Sequence, residues 1–265
     1  MDILTDGLIK CGLPQQVIEA LAEKMEAYIK EIVLFNSAYN LTNTSDHDEL
    51  VTRHILDSLA AYKEIAQLTG KIAGSSPTMT GAASAQLTFA DIGSGGGLPG
   101  IPLAAAFMLA GAAGMGGTAG SGRTGGTDDT AGTNAGSPQI HWQLVERMEK
   151  RCAFLENCTA ILGLKNVTVV NSEAERLPPE AYDLITFRAF RPLDKKMTKT
   201  LLRIVRPSGH LCAYKAKLSS IQEEMEGIKS LVPDYRIAPL SVPGLEDSER
   251  NLVIITKPEI KNQAM

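Results

Sequence analysis

Apolar residues recur at helical spacing through the first part of the chain. Residues 14–36 place apolar side chains three or four positions apart, which predicts a long amphipathic helix that begins near Pro14. Asp46 and Glu49 then form a candidate cap pair for a second helix over the sequence VTRHILDSL. The pattern therefore predicts an N-terminal helical cap over residues 1–72.

From Leu87 onward, short apolar runs alternate with helical patterns. Strands that are separated by helices must pair in parallel, and two consecutive strands at the end predict an antiparallel hairpin at one sheet edge. We therefore predict an α/β fold, a Rossmann-like domain over residues 87–260 with a mostly parallel sheet of seven strands. The predicted strands are LTFADI, IHWQLVE, NVTVVN, AYDLITF, HLCAYK, DYRIAPLSV and NLVIITK.

Two stretches rich in small residues interrupt this organisation. Residues 73–86 are rich in Gly, Ser and Ala, and we predict a linker there. Residues 111–137 hold ten of the 24 glycines and almost nothing that fills a core, so we predict a disordered insertion in the first helix-to-strand connection.

Composition narrows the class of protein. The chain has 265 residues, 44% of them hydrophobic and 21% charged, with no apolar run long enough to span a membrane and no signal-peptide pattern at its start. We expect a cytoplasmic protein without a membrane partner. The four cysteines form no CxxC pair and no metal-ligand spacing with the histidines, so we expect buried thiols and no metal site.

Charge is unevenly distributed. The formal net charge of −4 argues against a protein that coats nucleic acid with its whole surface. Between Arg188 and Lys217, however, nine basic residues stand against a single acid, Asp194. This segment fits a polyanion that docks in one place, and it equally fits a solvated helix face.

A glycine-rich loop follows the first predicted strand, in the sequence FADIGSGGGLPG. Gly95, Gly97 and Gly100 satisfy GxGxxG, so a dinucleotide site is one reading. Asp91 at the strand end would repel a pyrophosphate but would favour the cationic groups of S-adenosyl-L-methionine. Glu146, at the end of the next strand, can accept hydrogen bonds from ribose hydroxyls. The combination predicts a class I S-adenosyl-L-methionine-dependent methyltransferase.

Two classes of nucleic-acid methyltransferase fit poorly. A C5-cytosine enzyme needs a cysteine nucleophile, and neither Cys158 nor Cys212 lies in a motif that resembles one. Enzymes that methylate exocyclic amines usually carry a Pro-Pro turn after the fourth strand, where this chain reads TFRAF.

Six ordered motifs resemble the RsmG family, also known as GidB, which are bacterial 16S rRNA guanine N7-methyltransferases. The similarity covers nearly the whole chain outside the two Gly-rich stretches. It implies methyl transfer to N7 of guanine 527 of 16S rRNA, in free rRNA or in the small ribosomal subunit, and it implies no protein partner. We expect a monomer. The motifs are NxxxNLT from Asn36, RHILDSL from Arg53, ADIGSGGGLPGIPLA from Ala90, ERMEKRCAFL from Glu146, AERL from Ala174 and FRAFRPL from Phe187.

The resemblance also implies roles for individual residues. Cofactor contacts are implied for Gly93, Leu98, the pair Ala174 and Glu175, and Arg188, in addition to Asp91, Gly95 and Glu146. For the RNA it implies Lys215 as a substrate-binding residue. The remaining RNA candidates are Asn40, Arg53, His54 and Arg250, with Asp57 in the same motif as His54.

Departures from the family pattern and the chemistry of N7 refine the prediction. Glu146-Arg147 stands where the family usually has Asp-Ser, Glu173 where arginine is frequent, and Ala216 where glycine follows the lysine. N7 of guanine carries no proton, so we expect no general base but positioning by Arg188 and Lys215. A methyltransferase for another substrate, or a ribosome-assembly protein without catalysis, are the alternatives.

Overall fold

The computed structural model describes residues 2–75, 86–115 and 138–259. The predicted linker and insertion lie mostly outside these ranges, but their edges need correction. Helix α5 continues to Ser75 and strand β1 already begins at Gln86, so only 76–85 remain between them. Helix α6 continues to Met115, five residues into the stretch predicted as disordered, and 116–137 lie outside the described residues.

The N-terminal region is helical, as the periodicity predicts. It contains a helix that the pattern did not indicate, α1, whose first turn is capped by the Asp2 carboxylate at 2.7 Å from the Thr5 nitrogen. Asp46 caps the third helix through a bond from the Glu49 nitrogen at 2.9 Å. The elements are α1 (Ile3–Lys10), a 3₁₀ turn (Gln15–Val17), α2 (Ile18–Tyr39), α3 (His47–Leu50), a π-helical turn (Val51–Leu56), α4 (Asp57–Leu59) and α5 (Tyr62–Ser75).

The rest of the described chain alternates strands and helices. The strands are β1 (Gln86–Ile92), β2 (Gln139–Glu146), β3 (Val167–Asn171), β4 (Tyr182–Arg188), β5 (Val205–Lys215), β6 (Arg236–Pro239) and β7 (Asn251–Thr256). The helices between them are α6 (Gly100–Met115), α7 (Glu149–Ile161), a 3₁₀ turn (Ala174–Arg176), α8 (Lys195–Ile204) and α9 (Leu218–Ile228).

All seven strands form one sheet in the order β3-β2-β1-β4-β5-β7-β6. The first five strands pair in parallel, whereas β7 is antiparallel to both β5 and β6. The predicted Rossmann-like architecture and the antiparallel edge are confirmed. The chain reverses its direction of travel across the sheet between β1 and β4, and in such sheets ligands bind beside the carboxyl ends of the strands at that point.

Alternating side chains on the strands feed two separate apolar cores. Phe89 and Trp142 face one core, which they share with α2, α6 and the rest of the N-terminal helices. Ala90 and Ile92 face the other, which is covered by α8 and α9. The N-terminal helical cap is therefore part of the layer that covers one face of the sheet.

Candidate functional site

The carboxyl ends of β1, β2 and β4 surround a cavity of about 200 Å³, which we call the smaller cavity. It is lined by residues from the glycine loop, from the end of β2 and from the turns after β3 and β4. The residues used below are Gly93, Glu146, Arg151, Ala174, Glu175 and Phe190.

The glycine loop owes its shape to backbone that glycine tolerates. Gly93, Gly95 and Gly97 have φ values of +71°, +57° and +90°, in the region that side chains with a Cβ rarely adopt. The Tyr28 hydroxyl of α2 donates to the Gly96 carbonyl, so a hydrogen bond connects the loop to the N-terminal helices.

Glu146 points into this loop. Its side chain is only 5% exposed, and its two carboxylate oxygens accept from the Gly95 nitrogen at 3.0 Å and from the Met148 nitrogen at 2.8 Å. A carboxylate held in this way still has acceptor capacity for the hydroxyls of a ribose. Glu146 thus lines the smaller cavity, and its contact with a ribose stays a prediction.

Asp91 lies elsewhere than the sequence argument assumed. It is 1% exposed and does not line the cavity; its carboxylate accepts from the Gly100 nitrogen at 3.2 Å and from the Thr186 hydroxyl at 3.1 Å. Burial raises its pKa to about 6. Asp91 therefore caps the start of α6 and fixes the loop.

Five other predicted cofactor residues lie in three different places. Gly93, Ala174 and Glu175 line the smaller cavity, and Glu175 pairs with Arg191 at 3.3 Å. Leu98 is 7% exposed in the apolar core and lines neither cavity. Arg188 does not line the smaller cavity but a larger one beside it.

Arg151 is a cofactor candidate that sequence reasoning missed. Its Nη2 donates to the Asn40 carbonyl at 3.2 Å, while its buried Nε has no hydrogen-bond partner in the described part of the chain. An unpaired buried donor in a cavity wall fits a ligand that brings an acceptor. Together with Glu146 and the glycine loop, it makes the smaller cavity chemically suitable for S-adenosyl-L-methionine.

The larger cavity has a volume of about 800 Å³ and lies at the carboxyl ends of β4 and β5 and the start of β7. It shares Ala189, Phe190 and Arg191 with the smaller cavity, so the turn after β4 forms the border between them. Three of the predicted site residues line this cavity, namely Arg188, Lys215 and Arg250.

The turn that separates the cavities is tightly built. Ala189 adopts φ of +49°, which is uncommon for a residue other than glycine. The Phe190 ring lies against Gly93, and the Arg191 guanidinium stands 5.3 Å from the centre of that ring. A ligand in either cavity therefore contacts the same three-residue turn.

The remaining RNA candidates are His54, which contacts Arg188 of the larger cavity, Arg53, and Asn40, whose carbonyl binds Arg151 of the smaller cavity. His54 accepts from Arg188 at 3.3 Å through Nδ1, and Arg53 is exposed and pairs with Glu49. Asn40 has an exposed side chain and ends α2 with φ of +48°. None of these three side chains lines a described cavity.

The basic segment from Arg188 to Lys217 is not one continuous binding stripe. Arg203 donates to the carbonyls of Leu177 and Glu175, and Arg206 pairs with Asp183. The exposed lysines of α8 are Lys195, Lys196 and Lys199. Most of the arginines thus hold the structure together, and the exposed lysines are those of α8 together with Lys217, which precedes α9.

Burial and the nearby arginines lower the pKa of His54 from its usual 6.5 to about 4. As pH falls from 6.5 to 4, unfolded chains take up a proton at this position before folded ones do, so the stabilisation present above pH 6.5 is lost. We expect wild type to lose more unfolding free energy than His54→Asn between pH 7 and pH 4.5, measured by urea denaturation. Equal losses in both proteins would remove His54 as the cause, since Asp91 titrates in both.

All four cysteines are buried as free thiols, as predicted. Within the described ranges, no group of three or more His, Cys, Asp or Glu side chains is arranged to hold a metal ion. Among the same residues, no helix is long and apolar enough to cross a membrane.

Comparison with known proteins gives one consistent result. The family model GidB, described as rRNA small subunit methyltransferase G, matches residues 21–110 and 135–253. A protein of Treponema denticola named ribosomal RNA small subunit methyltransferase G is 36% identical, covering 97% of this chain and 94% of that protein. One of the same name from Aromatoleum aromaticum is 30% identical, covering 96% and 97%. A solved structure of a SAM-dependent methyltransferase from Aquifex aeolicus aligns with a TM-score of 0.46 at 15% identity, over 80% of this chain and 93% of that one.

Proposed function

Because the chain belongs to the GidB family of small-subunit rRNA methyltransferases, we propose that it methylates N7 of guanine 527 in 16S rRNA. The family resemblance drawn from the sequence motifs is confirmed. The cofactor is S-adenosyl-L-methionine, which supplies a methyl group on a positively charged sulfur. The specific nucleotide and ring atom are our proposal.

The observation that carries the proposal is the pair of cavities that meet at one turn. The smaller cavity offers Glu146, the glycine loop and the unpaired Arg151 Nε, which suit the nucleoside and amino acid parts of the methyl donor. The larger cavity offers space and cations, which suit a nucleotide. Because both cavities border Ala189, Phe190 and Arg191, ligands in them would meet there.

The lining of the cavities fits a reaction that needs no base. N7 of guanine has an in-plane lone pair and no proton, so the site has to hold N7 in line with the methyl group and keep water away. Neither cavity has a histidine or a cysteine in its described lining. The absence of a cysteine from both described linings disfavours a cysteine nucleophile as in C5-cytosine enzymes.

The cations of the larger cavity divide the work of binding RNA. Lys215 pairs with Glu224 at 2.8 Å and ends strand β5 beside the turn after β4, so we assign it a contact with the substrate nucleotide. Arg188 and Arg250 both bind Asp57 and form another part of the wall. Phe190 is the aromatic side chain that both cavities share, and we assign it a stacking contact with the guanine.

We further propose that the protein works as a monomer in the cytoplasm. Guanine 527 would be presented either in free 16S rRNA or in the small ribosomal subunit. Asn40 and Arg53 stay candidates for RNA contact outside the cavities, because both are exposed on the side of the N-terminal helices.

The experiment that tests the function combines purified protein, methyl-labelled S-adenosyl-L-methionine and small ribosomal subunits that lack this modification. We expect label in 7-methylguanosine after digestion to nucleosides, and at position 527 by primer extension after cleavage at the modified base. Label in another nucleoside would refute the assignment of N7. Cofactor binding without any transfer to subunit or free rRNA would favour an assembly protein without catalysis.

Gly93 offers a test of the smaller cavity. A Cβ on Gly93 would lie 2.1 Å from Phe190 Cδ2, and the φ of +71° already disfavours a side chain. We expect Gly93→Ala to weaken binding of S-adenosyl-L-methionine at least tenfold, measured by calorimetric titration. The control is Gly163→Ala, which has φ of +62° and nothing within 4 Å of the new atom; it should cost about 1 kcal/mol of stability and leave the affinity unchanged. Equal affinities in the two variants would contradict the placement of the cofactor.

A further inference from the structure

The π-helical turn Val51–Leu56 directs several acceptors at the end of β4. Arg188 Nη1 donates to the Asp57 carboxylate at 2.7 Å and to the Arg53 carbonyl at 3.4 Å, and Nη2 donates to His54 Nδ1 at 3.3 Å. A π turn has a wider spacing than an α-helix and occurs often at functional sites. Here the turn and the residue after it hold one arginine by three contacts.

Asp57 also binds a second arginine from a distant part of the chain. Its other oxygen, Oδ1, accepts from Arg250 Nε at 3.1 Å, just before strand β7. The Asp57 side chain is 8% exposed, against 16% for Arg188 and 26% for Arg250. One buried carboxylate thus fixes two guanidinium groups side by side in the wall of the larger cavity.

The cluster of Asp57, Arg188 and Arg250 has a net positive charge and unused N–H donors. Three contacts use three of the five N–H bonds of Arg188, and among the described residues its Nε–H and one Nη2–H have no partner. Arg250 donates from Nε to Asp57 and from Nη1 to the Glu249 carbonyl, which leaves its Nη2 group. Two guanidinium groups and one carboxylate have a net charge of +1, and His54 next to them is neutral at pH 7.

The remaining donors suit an oxyanion better than the base itself. An arginine that bonds O6 and N7 of guanine together would occupy the lone pair of N7, which in the proposed reaction must accept the methyl group. A phosphate accepts paired N–H donors without touching the base. The carboxylate of the methyl donor is the other available oxyanion, but neither Arg188 nor Arg250 lines the smaller cavity.

We propose that Asp57 is a positioning residue that orients Arg188 and Arg250 to bind a phosphate of the target RNA strand. The proposal rests on the function proposed above. Asp57 itself touches no substrate; it holds both guanidinium groups in one geometry, so that both stand in the wall of the larger cavity. A carboxylate at this position is required because an amide supplies only one acceptor and no charge.

The test compares wild type with Asp57→Asn. We expect the dissociation constant for unmodified small subunits to rise at least tenfold, measured by filter binding, and KM to rise with kcat changed much less. The affinity for S-adenosyl-L-methionine should stay within twofold of wild type. The slope of log affinity against log salt should fall by about 0.7 for each phosphate contact that is lost. A structural defect alone would not change that slope.

Asp183→Asn is the matched control. Asp183 is another buried carboxylate that pairs with an arginine, Arg206, and it lies at the opposite end of β4 from Arg188. It should lower the melting temperature without changing the salt slope. Should Asp57→Asn fail to fold, Arg250→Met is the alternative variant, because it removes one guanidinium group while Asp57 still binds Arg188. It should reduce the slope of log affinity against log salt in the same way.

Several outcomes would overturn the proposal. Unchanged subunit affinity and slope in Asp57→Asn, or in Arg250→Met when the former does not fold, would exclude the phosphate contact. A loss confined to S-adenosyl-L-methionine would assign the arginines to the cofactor carboxylate, and an equal effect of Asp183→Asn would reduce Asp57 to a stabilising role. Failure of the proposed function is seen separately, because wild type would then not form 7-methylguanosine.

Discussion

Glu146→Gln should raise the dissociation constant for S-adenosyl-L-methionine by about 10- to 100-fold, as measured by calorimetric titration. The carboxylate accepts from the nitrogens of Gly95 and Met148 with both oxygens. An amide has only one acceptor oxygen and would place its NH₂ group against one of these N–H bonds. The loop loses an anchor and the ribose loses a charged acceptor, and hydrogen bonds to charged groups contribute about 1.5 to 3 kcal/mol.

The control for this variant is Glu149→Gln. Glu149 lies three residues further on, in the first turn of α7, and its side chain is exposed. The substitution removes the same charge from the same neighbourhood without touching the loop, so the affinity should change less than twofold. If Glu146→Gln binds the cofactor like wild type, or if both variants lose affinity equally, Glu146 has no direct role.

The fold was predictable because its signals are local. Each strand of the sheet is a short apolar run bounded by polar or small residues, and helical spacing in the first forty residues predicted α2. The glycine loop was predictable for the same reason, since φ values of +71°, +57° and +90° strongly favour glycine. Helix α1 was missed because it is short, with Gly7 packed closely against Leu56.

The site was less predictable because its contacts are long-range. Arg188 and Asp57 are 131 positions apart, and Asp57 and Arg250 are 193 apart. No spacing in the sequence indicates such pairs. The family motifs pointed to the neighbourhood of His54 and Asp57, yet not to the arrangement in which one carboxylate serves two arginines.

Asp91 illustrates how a motif can mark the right loop for a different physical reason. The sequence predicted that its carboxylate attracts the cationic groups of the cofactor. In the structure the same carboxylate bonds the Gly100 nitrogen and the Thr186 hydroxyl in a fully buried position. A strand-end acid followed by glycines is thus explained by helix capping and loop anchoring, and its charge reaches the smaller cavity only across the loop.

The basic segment from Arg188 to Lys217 has fewer free cations than its composition suggests. Of its nine cations, Arg188, Arg191, Arg206 and Lys215 have carboxylate partners, and Arg203 binds backbone carbonyls. Counting charges along a sequence cannot distinguish a lysine in solvent from an arginine bound inside the protein. In the function proposed above, the basic residues assigned to RNA are those of the larger cavity rather than those of α8.

Lys215→Met should lower kcat/KM for unmodified small subunits by about 10- to 100-fold, because a contact with a charged group contributes about 1.5 to 3 kcal/mol. The affinity for S-adenosyl-L-methionine should stay within twofold, since Lys215 lines only the larger cavity. Lys199→Met, on the exposed face of α8, is the control for charge alone and should behave like wild type.

The activity lost in Lys215→Met has two possible causes, a missing contact with RNA and the uncompensated charge of Glu224. The two side chains pair at 2.8 Å and are 20% and 17% exposed. Removing the lysine leaves a carboxylate in the cavity that still accepts from the Leu193 nitrogen but has lost its cation. Because that carboxylate would repel RNA, the double variant Lys215→Met/Glu224→Gln should recover part of the lost activity. Full recovery would mean that Lys215 only neutralises the charge of Glu224. Partial recovery in this double-mutant cycle assigns the remainder to a contact between Lys215 and the nucleotide.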